Sequence, residues 1–262
     1  MAELFDINKK PANEEEFKKW FARKFGYKDY EYQAYYNTAV SQLRLTFLES
    51  AFWKTLSNKL NDIDNRYKMI HNVYLLSDAS APDIYTKSLG SLLNKAFRKD
   101  ILNNTNYPEE PPNGWVSHKN WFDRINDILR TTIVVKYLDG VNFLIEEIKA
   151  IAQSTGCNFE YSLEAKEEGY YAAHLGIKQE LGLIGHDFQS HKHLINVEIQ
   201  ITTELQALIK NLLHKYYEEN RTRPKPDNYK WQWDYSCDEF NSNYLGHIVH
   251  YVEGKIVELR DK

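Results

Sequence analysis

The sequence predicts an α+β protein: a mixed β-sheet of about four to five strands flanked by helices, with a helical N-terminal region ahead of it. Three observations carry this. No glycine or proline interrupts the chain between Gly26 and Pro82, while apolar residues recur there at helical steps. Near residue 130 the pattern changes to β-branched runs separated by turn residues. One late stretch, LINVEIQITT, alternates apolar and polar residues with the period of a strand.

Residues 14 to about 76 read as helix, beginning with EEEFKKWFARKF and continuing through Tyr32, Tyr36, Val40, Leu43, Phe47 and Phe52. Asp83 or Thr86 is placed to cap a further helix through SLGSLLNKAFRKDIL, and the proline-bearing segment 103–114 is a loop. ILRTTIVVKYL is a strand; Asp139 and Gly140 turn the chain into a helix through VNFLIEEIKAIA. CNFEYSLEA, GYYAAHLGIK and LINVEIQITT follow as strands, the last two separated by a loop of glycine and histidine. Residues 203–219 are helical, RTRPKP breaks the chain, and NYLGHIVHYVEGKIVELR closes it as a helix. The expected organisation is a helical region over 1–83, a catalytic core over 84–219, and a loop with a C-terminal helix over 220–262.

At 262 residues the chain is long enough for a full core, and 42% hydrophobic with 27% charged residues excludes disordered and collagen-like classes. A formal charge of -4 argues against a nucleic-acid binder over its whole surface. Two local basic patches remain, Lys18, Lys19, Arg23, Lys24 and Lys28, then Lys215, Arg221, Arg223, Lys225 and Lys230, each more often a solvated face than a binding site. Cys157 and Cys237 lie far apart and form no CxxC, so neither zinc nor a disulfide framework is expected. The N-terminal residues hold no apolar signal core and no stretch has the length of a membrane span, so a cytoplasmic protein is expected.

In LINVEIQITT, Val197, Ile199 and Ile201 take one face, while Asn196, Glu198, Gln200 and Thr202 form a polar row on the other. Such a row suits either a cleft floor or an ordinary half-exposed strand. Asp127 stands just before the strand TTIVV, and two carboxylates sharing a site suit Mg²⁺ held jointly with substrate phosphates. Between them lies KEEGYYAAHLGIK, in which Gly169 permits a sharp turn and Tyr170 presents a ring for stacking.

Taken in order, these pieces resemble the synthetase domain of the RelA/SpoT family, which makes the alarmone nucleotides ppGpp and pppGpp. The matching residues are Lys87-Ser88 before SLGSLLNKAF, Asp127-Ile128 entering LRTTIVV, Gly169-Tyr170 through His174, Glu198-Ile199-Gln200 with Thr203, and His214 with Tyr216 and Tyr217. The likeness covers roughly residues 84–219, and its most specific part is the EIQ strand combined with the GYxxxH loop. It implies a nucleotidyltransferase-like sheet and transfer of the β,γ-pyrophosphate of ATP to the 3′-hydroxyl of a ribose. By the same implication Asp127 and Glu198 hold Mg²⁺, with Glu198 assisting deprotonation of the acceptor. Tyr170 stacks on the acceptor base, Gly169, His174 and Gln200 serve the acceptor side, and Lys87 and Ser88 serve ATP. Asn196 and His214 stand behind them.

The chain departs from the family at two arginines, having Tyr85 before the first lysine and Thr132 in the first strand. Arg130 shares a strand face with Thr132 and is the candidate substitute; Tyr85 is placed to stack on adenine, and Lys95, Arg98 and Lys119 are further candidates for phosphate contacts. The expected acceptor is a guanine nucleotide, GDP or GTP. The alternatives are a toxin acting on the 3′ end of tRNA, with an antitoxin partner, and a catalytically degenerate binding or immunity module. Outside the motifs, His186-Asp187 with His191 and His193 reads as a solvated loop. On the helix after EIQITT, His214 lies opposite the stripe Leu205, Leu208, Ile209, Leu212 and Tyr216, facing solvent or cleft. Leu245, Ile248, Val249, Val252 and Ile256 form a closing stripe expected in the core or in contact between copies of a homo-oligomer.

Overall fold

The computed structural model describes residues 7–185, 189–220 and 229–262, without the side chains of 29–31 and 213–220. Helices α1 (Glu14–Phe25), α2 (Asp29–Leu48) and α3 (Ala51–His71) come first. A two-residue strand β1 (Tyr85–Thr86) leads into α4 (Leu89–Phe97), which runs on as a π-helical turn over Arg98–Leu102. Then come α5 (Trp121–Arg124), β2 (Leu129–Val135), α6 (Leu138–Ser154), β3 (Asn158–Ala165), β4 (Tyr171–Ile184), β5 (Ser190–Thr203), α7 (Glu204–Asn220) and α8 (Asp238–Arg260). The strands form one mixed sheet in the order β1-β2-β5-β4-β3 with helices flanking it, the α+β class that the sequence predicts. Among the described residues no helix is long and apolar enough to cross a membrane.

Two local readings need correction, and one short strand adds to those expected. Strand β1 is too short to show alternation; it pairs antiparallel with β2, Tyr85 opposite Arg130 and Thr86 opposite Leu129. Because residues 85 and 86 are extended, neither Asp83 nor Thr86 caps α4; Ser88 does, its hydroxyl oxygen accepting from Ser91 N at 3.2 Å. His191 and His193 lie on β5 and not in a loop, and His193 Nδ1 meets Asp123 Oδ2 at 3.0 Å while Leu194 N donates to Asp123 Oδ1. His186 and Asp187 lie outside the described residues.

The chain forms two compact units. The first takes in residues 1–50, 84–130 and 177–198. Helix α1 begins at Asn13, whose side chain accepts from Glu16 N, and ends at Gly26, where φ is 68°. Its buried face, Phe17, Trp20 and Phe21, packs on α4, with Phe17 5.3 Å from Phe97. Helix α2 buries Tyr36, Val40, Leu43 and Phe47 against α4 and β1. Lys24, from the first basic patch, sits 4.1 Å from the Trp115 ring centroid as part of this aromatic packing. The second patch falls mostly outside the described residues.

The second unit takes in residues 51–83, 131–176 and 199–262. Helix α3 buries Phe52, Leu56, Leu60, Ile63 and Tyr67 and packs on α6, which covers β3. Buried Asp64 accepts from Leu75 N at 2.7 Å and Leu76 N at 2.9 Å, fixing the chain that leaves α3. Helix α8 packs against α6 and α7 and ends in Arg260, which binds Asp139 Oδ2 at 2.9 Å and the Tyr67 hydroxyl at 2.8 Å. The apolar stripes read on these helices are largely exposed, so the α8 stripe is not part of the core. On α7, Leu205, Leu208 and Leu212 are exposed whereas Gln206 and Ile209 are buried; on α8, Leu245, Ile248, Val252 and Ile256 are exposed whereas Ser242, Asn243, Gly246 and Glu253 are buried. The reason is a close approach at Gly246, whose carbonyl takes a hydrogen bond from Gln206 Nε2 at 3.2 Å, so small and polar groups face inward.

Candidate active site

In the first unit the site is built around one carboxylate. Lys87 continues the β1 ladder, its N–H donating to Ile128 O at 2.8 Å, while the Tyr36 hydroxyl donates to Lys87 O at 2.8 Å. With its backbone held on both sides, Lys87 reaches Asp127 Oδ2 at 2.8 Å, and Lys95, on α4, reaches Asp127 Oδ1 at 2.9 Å. Burial pushes the Asp127 carboxyl up, but the hydrogen bond from Lys87 and the charge of Lys95 outweigh it and hold the group below the usual carboxylate range. Burial lowers the Lys87 ammonium, with Lys95 and Arg130 adding repulsion against the attraction of Asp127. Lys99 is lowered in the same way, by burial first and then by Lys95 and Arg124. Five cations, Lys87, Lys95, Lys99, Arg124 and Arg130, thus act on one another around Asp127 and the buried Asp100. Their excess over the carboxylates makes the place fit for a polyanion.

Tyr85 and Arg130 stand directly across the β1–β2 pair and both are exposed, so the sheet brings the two candidate ATP residues onto one face. Ser88 is committed to the α4 cap, its hydroxyl also 3.0 Å from Ser91 Oγ. On β5, the strand next to β2, Asn196 is buried and Glu198 half-buried. The polar row is therefore covered rather than solvated, since Gln200 and Thr202 are buried too.

In the second unit the site is an aromatic turn. Lys166 N donates to Tyr170 O at 3.0 Å and Gly169 N to Lys166 O at 2.9 Å, with Gly169 at φ 77°, a conformation that favours glycine. The Tyr170 hydroxyl lies 3.0 Å from His174 Nε2. Two ammonium groups flank its ring, Lys166 at 5.7 Å and Lys210 at 5.9 Å from the centroid, and Lys210 Nζ donates to Gln200 Oε1 at 3.2 Å. Gly169, Tyr170, His174 and Gln200 are thus gathered as a group, joined by Lys166 and Lys210, which sequence reasoning missed. Lys210 had a signal: it lies one turn after Gln206 beside Ile209, on the buried face of α7. Lys99 and Arg124 were missed as well, because the former lies in a π-helical turn and the latter in a four-residue helix, where periodicity gives no face. The side chain of His214 lies outside the described residues.

Among the described residues no three His, Cys, Asp or Glu side chains cluster as a metal site. Asp127 and Glu198 offer hard oxygen donors in the small number Mg²⁺ uses when substrate phosphates complete its shell. Both Asp127 oxygens accept from ammonium groups here, and Asp127 and Glu198 are the residues that would hold Mg²⁺.

No family model and no curated protein matches the sequence. Solved structures do match. Small alarmone synthetase 1 from Bacillus subtilis superposes with a TM-score of 0.53 at 17% identity, over 82% of this chain and 94% of that one. The same synthetase bound to its product pppGpp gives 0.52 at 18%, over 82% and 95%. The chain has the small alarmone synthetase fold. A GTP pyrophosphokinase family protein from Streptococcus pneumoniae shares this synthetase fold, with a TM-score of 0.52 at 15% identity over 82% and 91% of the two chains. The resemblance to the RelA/SpoT synthetase domain read from short motifs is accordingly present in the backbone of the synthetase fold, at identities too low for sequence matching alone.

Proposed function

We propose that the protein is a pyrophosphokinase that transfers the β,γ-pyrophosphate of ATP to the ribose 3′-hydroxyl of GDP or GTP. The observation that carries the reading is the Lys87–Asp127–Lys95 cluster, a carboxylate between two ammonium groups at 2.8 and 2.9 Å with further cations beside it. Such a place binds a polyphosphate and keeps one carboxylate for a metal ion. The fold shared with a synthetase solved with its product pppGpp supports a guanine acceptor.

In the proposed reaction the acceptor 3′-oxygen bonds to the β-phosphorus of ATP while the bond from that phosphorus to the α,β-bridging oxygen breaks. AMP leaves with the bridging oxygen, and the 3′-hydroxyl proton passes to Glu198. Lys87, Lys95 and Arg130 hold the phosphates in line and offset the charge that spreads over them. Tyr85 stacks on adenine. Tyr170 stacks on the acceptor base, with His174 fixing its hydroxyl and Gln200 held by Lys210. Asp127 and Glu198 would hold Mg²⁺, which neutralises phosphate charge when bound.

The test is transfer of label from γ-labelled ATP to GDP, GTP or deacylated tRNA. Label on GDP or GTP is expected. Label on tRNA alone overturns the guanine acceptor and leaves the chemistry, whereas label on nothing overturns the enzyme.

A further inference from the structure

Helix α8 lies outside the segment that carries the motif resemblance, yet the Gly169-Tyr170 turn is built against it. The contact is backbone to backbone: Gly246 Cα and His247 N lie 3.1 Å from the point where a Cβ of residue 169 would stand, and such an atom would overlap Asn243 O. Reciprocally, a Cβ at Gly246 would overlap Gly169 O. Two glycines at these positions are what lets the helix and the turn meet. On either side of that contact α8 grips the turn again. His247 Nε2 lies 3.0 Å from Glu167 O, and its Nδ1 lies 2.8 Å from the Tyr171 hydroxyl. A neutral ring that donates from Nε2 to a carbonyl leaves Nδ1 to accept from the tyrosine, so one tautomer satisfies both bonds. One helical turn on, His250 stacks flat on the Tyr171 ring, 3.7 Å between centroids at 5°. The residue between these grips is Tyr170, whose place follows from a turn held through the backbone at 167 and 169 and through the side chain at 171.

We propose that α8 is the positioning element of the acceptor site, with Gly246, His247 and His250 as positioning residues that act through the 167–171 turn on Tyr170. This rests on the reading that Tyr170 receives the acceptor base. The inward glycine and polar face of α8, which its apolar periodicity hides, is then the face selected for this task.

The test uses the full chain with His247→Ala, His247→Asn and Tyr171→Phe, which add no atoms to the contact, and Gly246→Ala, which does. Acceptor KM is expected to rise about fivefold to tenfold in His247→Ala and Tyr171→Phe, the loss of one or two hydrogen bonds, with kcat and ATP KM within about twofold of the parent. The double variant is expected to cost no more than His247→Ala alone, because the two share a bond. His247→Asn keeps an acceptor near Nδ1 and is expected to recover part of the loss. Amide exchange over residues 166–172 is read in the same variants and in Gly246→Ala, and faster exchange there is expected in all but His247→Asn. Unchanged exchange, or a fall in kcat with equal rises in both KM values, overturns the proposal. If the parent labels no acceptor, the exchange measurement still decides whether α8 holds the turn, so the two failures are told apart.

Discussion

At the scale of single residues, two carboxylates are pushed in opposite directions, Asp127 toward the ionised form and Asp100 toward the protonated form. Asp127 is drawn down by its two lysines, so at neutral pH it is a carboxylate ready for a cation. Replacing it with Asn leaves Lys87 and Lys95 without their counter-charge and removes the proposed metal ligand; a fall of about 10²-fold or more in transfer rate is expected in steady-state assays with the fold retained by circular dichroism. Asp100 is the opposite case. Its carboxyl is wholly buried and is pushed up to about 7 by that burial, against the Val116 N–H at 3.2 Å and the charges of Arg124, Lys99 and Lys24. In the unfolded chain it titrates near 3.8, so the folded state favours the protonated acid. Stability from this group is complete below pH 3.8 and is lost as pH rises through about 7, by at most about 1.4 kcal/mol per pH unit. Asp100→Asn keeps an oxygen for Val116 N–H. It is expected to raise the urea midpoint more at pH 8 than at pH 5 and to leave it nearly unchanged near pH 3.5, and equal shifts at all three would contradict the assignment.

At the scale of elements, strand pairing explains where the two side chains proposed for ATP come together. Arg130 faces Tyr85 only because β1 pairs with β2 in that register. Arg130→Ala is expected to raise ATP KM several-fold and to lower kcat with acceptor KM unchanged, since its proposed role is both to hold the phosphates and to offset their charge in the transition state. The chain leaving α3 offers a separate check: Asp64→Ala strips two backbone N–H groups, of Leu75 and Leu76, of a charged acceptor. A loss of about 2–3 kcal/mol in urea unfolding is expected, with activity per folded molecule retained. The same scale shows what the sequence could and could not reveal. Tyr36, Leu43, Phe47 and Phe52 are legible because a helix packed on one side repeats its apolar contacts every turn. Asn196, Glu198, Gln200 and Thr202 are legible as a row because a strand's period is two. Strand β1 is not, being two residues long, and the buried face of α8 is misread because Gly246 and Asn243 meet backbone there, so the contact needs small and polar groups instead of apolar ones.

For the whole molecule, the fold follows from the sequence at the level of class and element order, while the partners of each side chain do not. Lys166 and Lys210 come to Tyr170 from β3's end and from α7, 44 residues apart in number, and no local pattern announces such a meeting. The residues proposed for phosphate and base recognition fall in two sets, one around Asp127 and one around Tyr170, each described within its own compact unit. The most direct measurement is transfer of γ-label from ATP to GDP by the full chain and by Glu198→Ala. The account predicts a labelled 3′-pyrophosphorylated guanine nucleotide with the parent and a loss of about 10²-fold or more with the variant; undiminished transfer by Glu198→Ala, or no transfer by the parent to any acceptor, would contradict it.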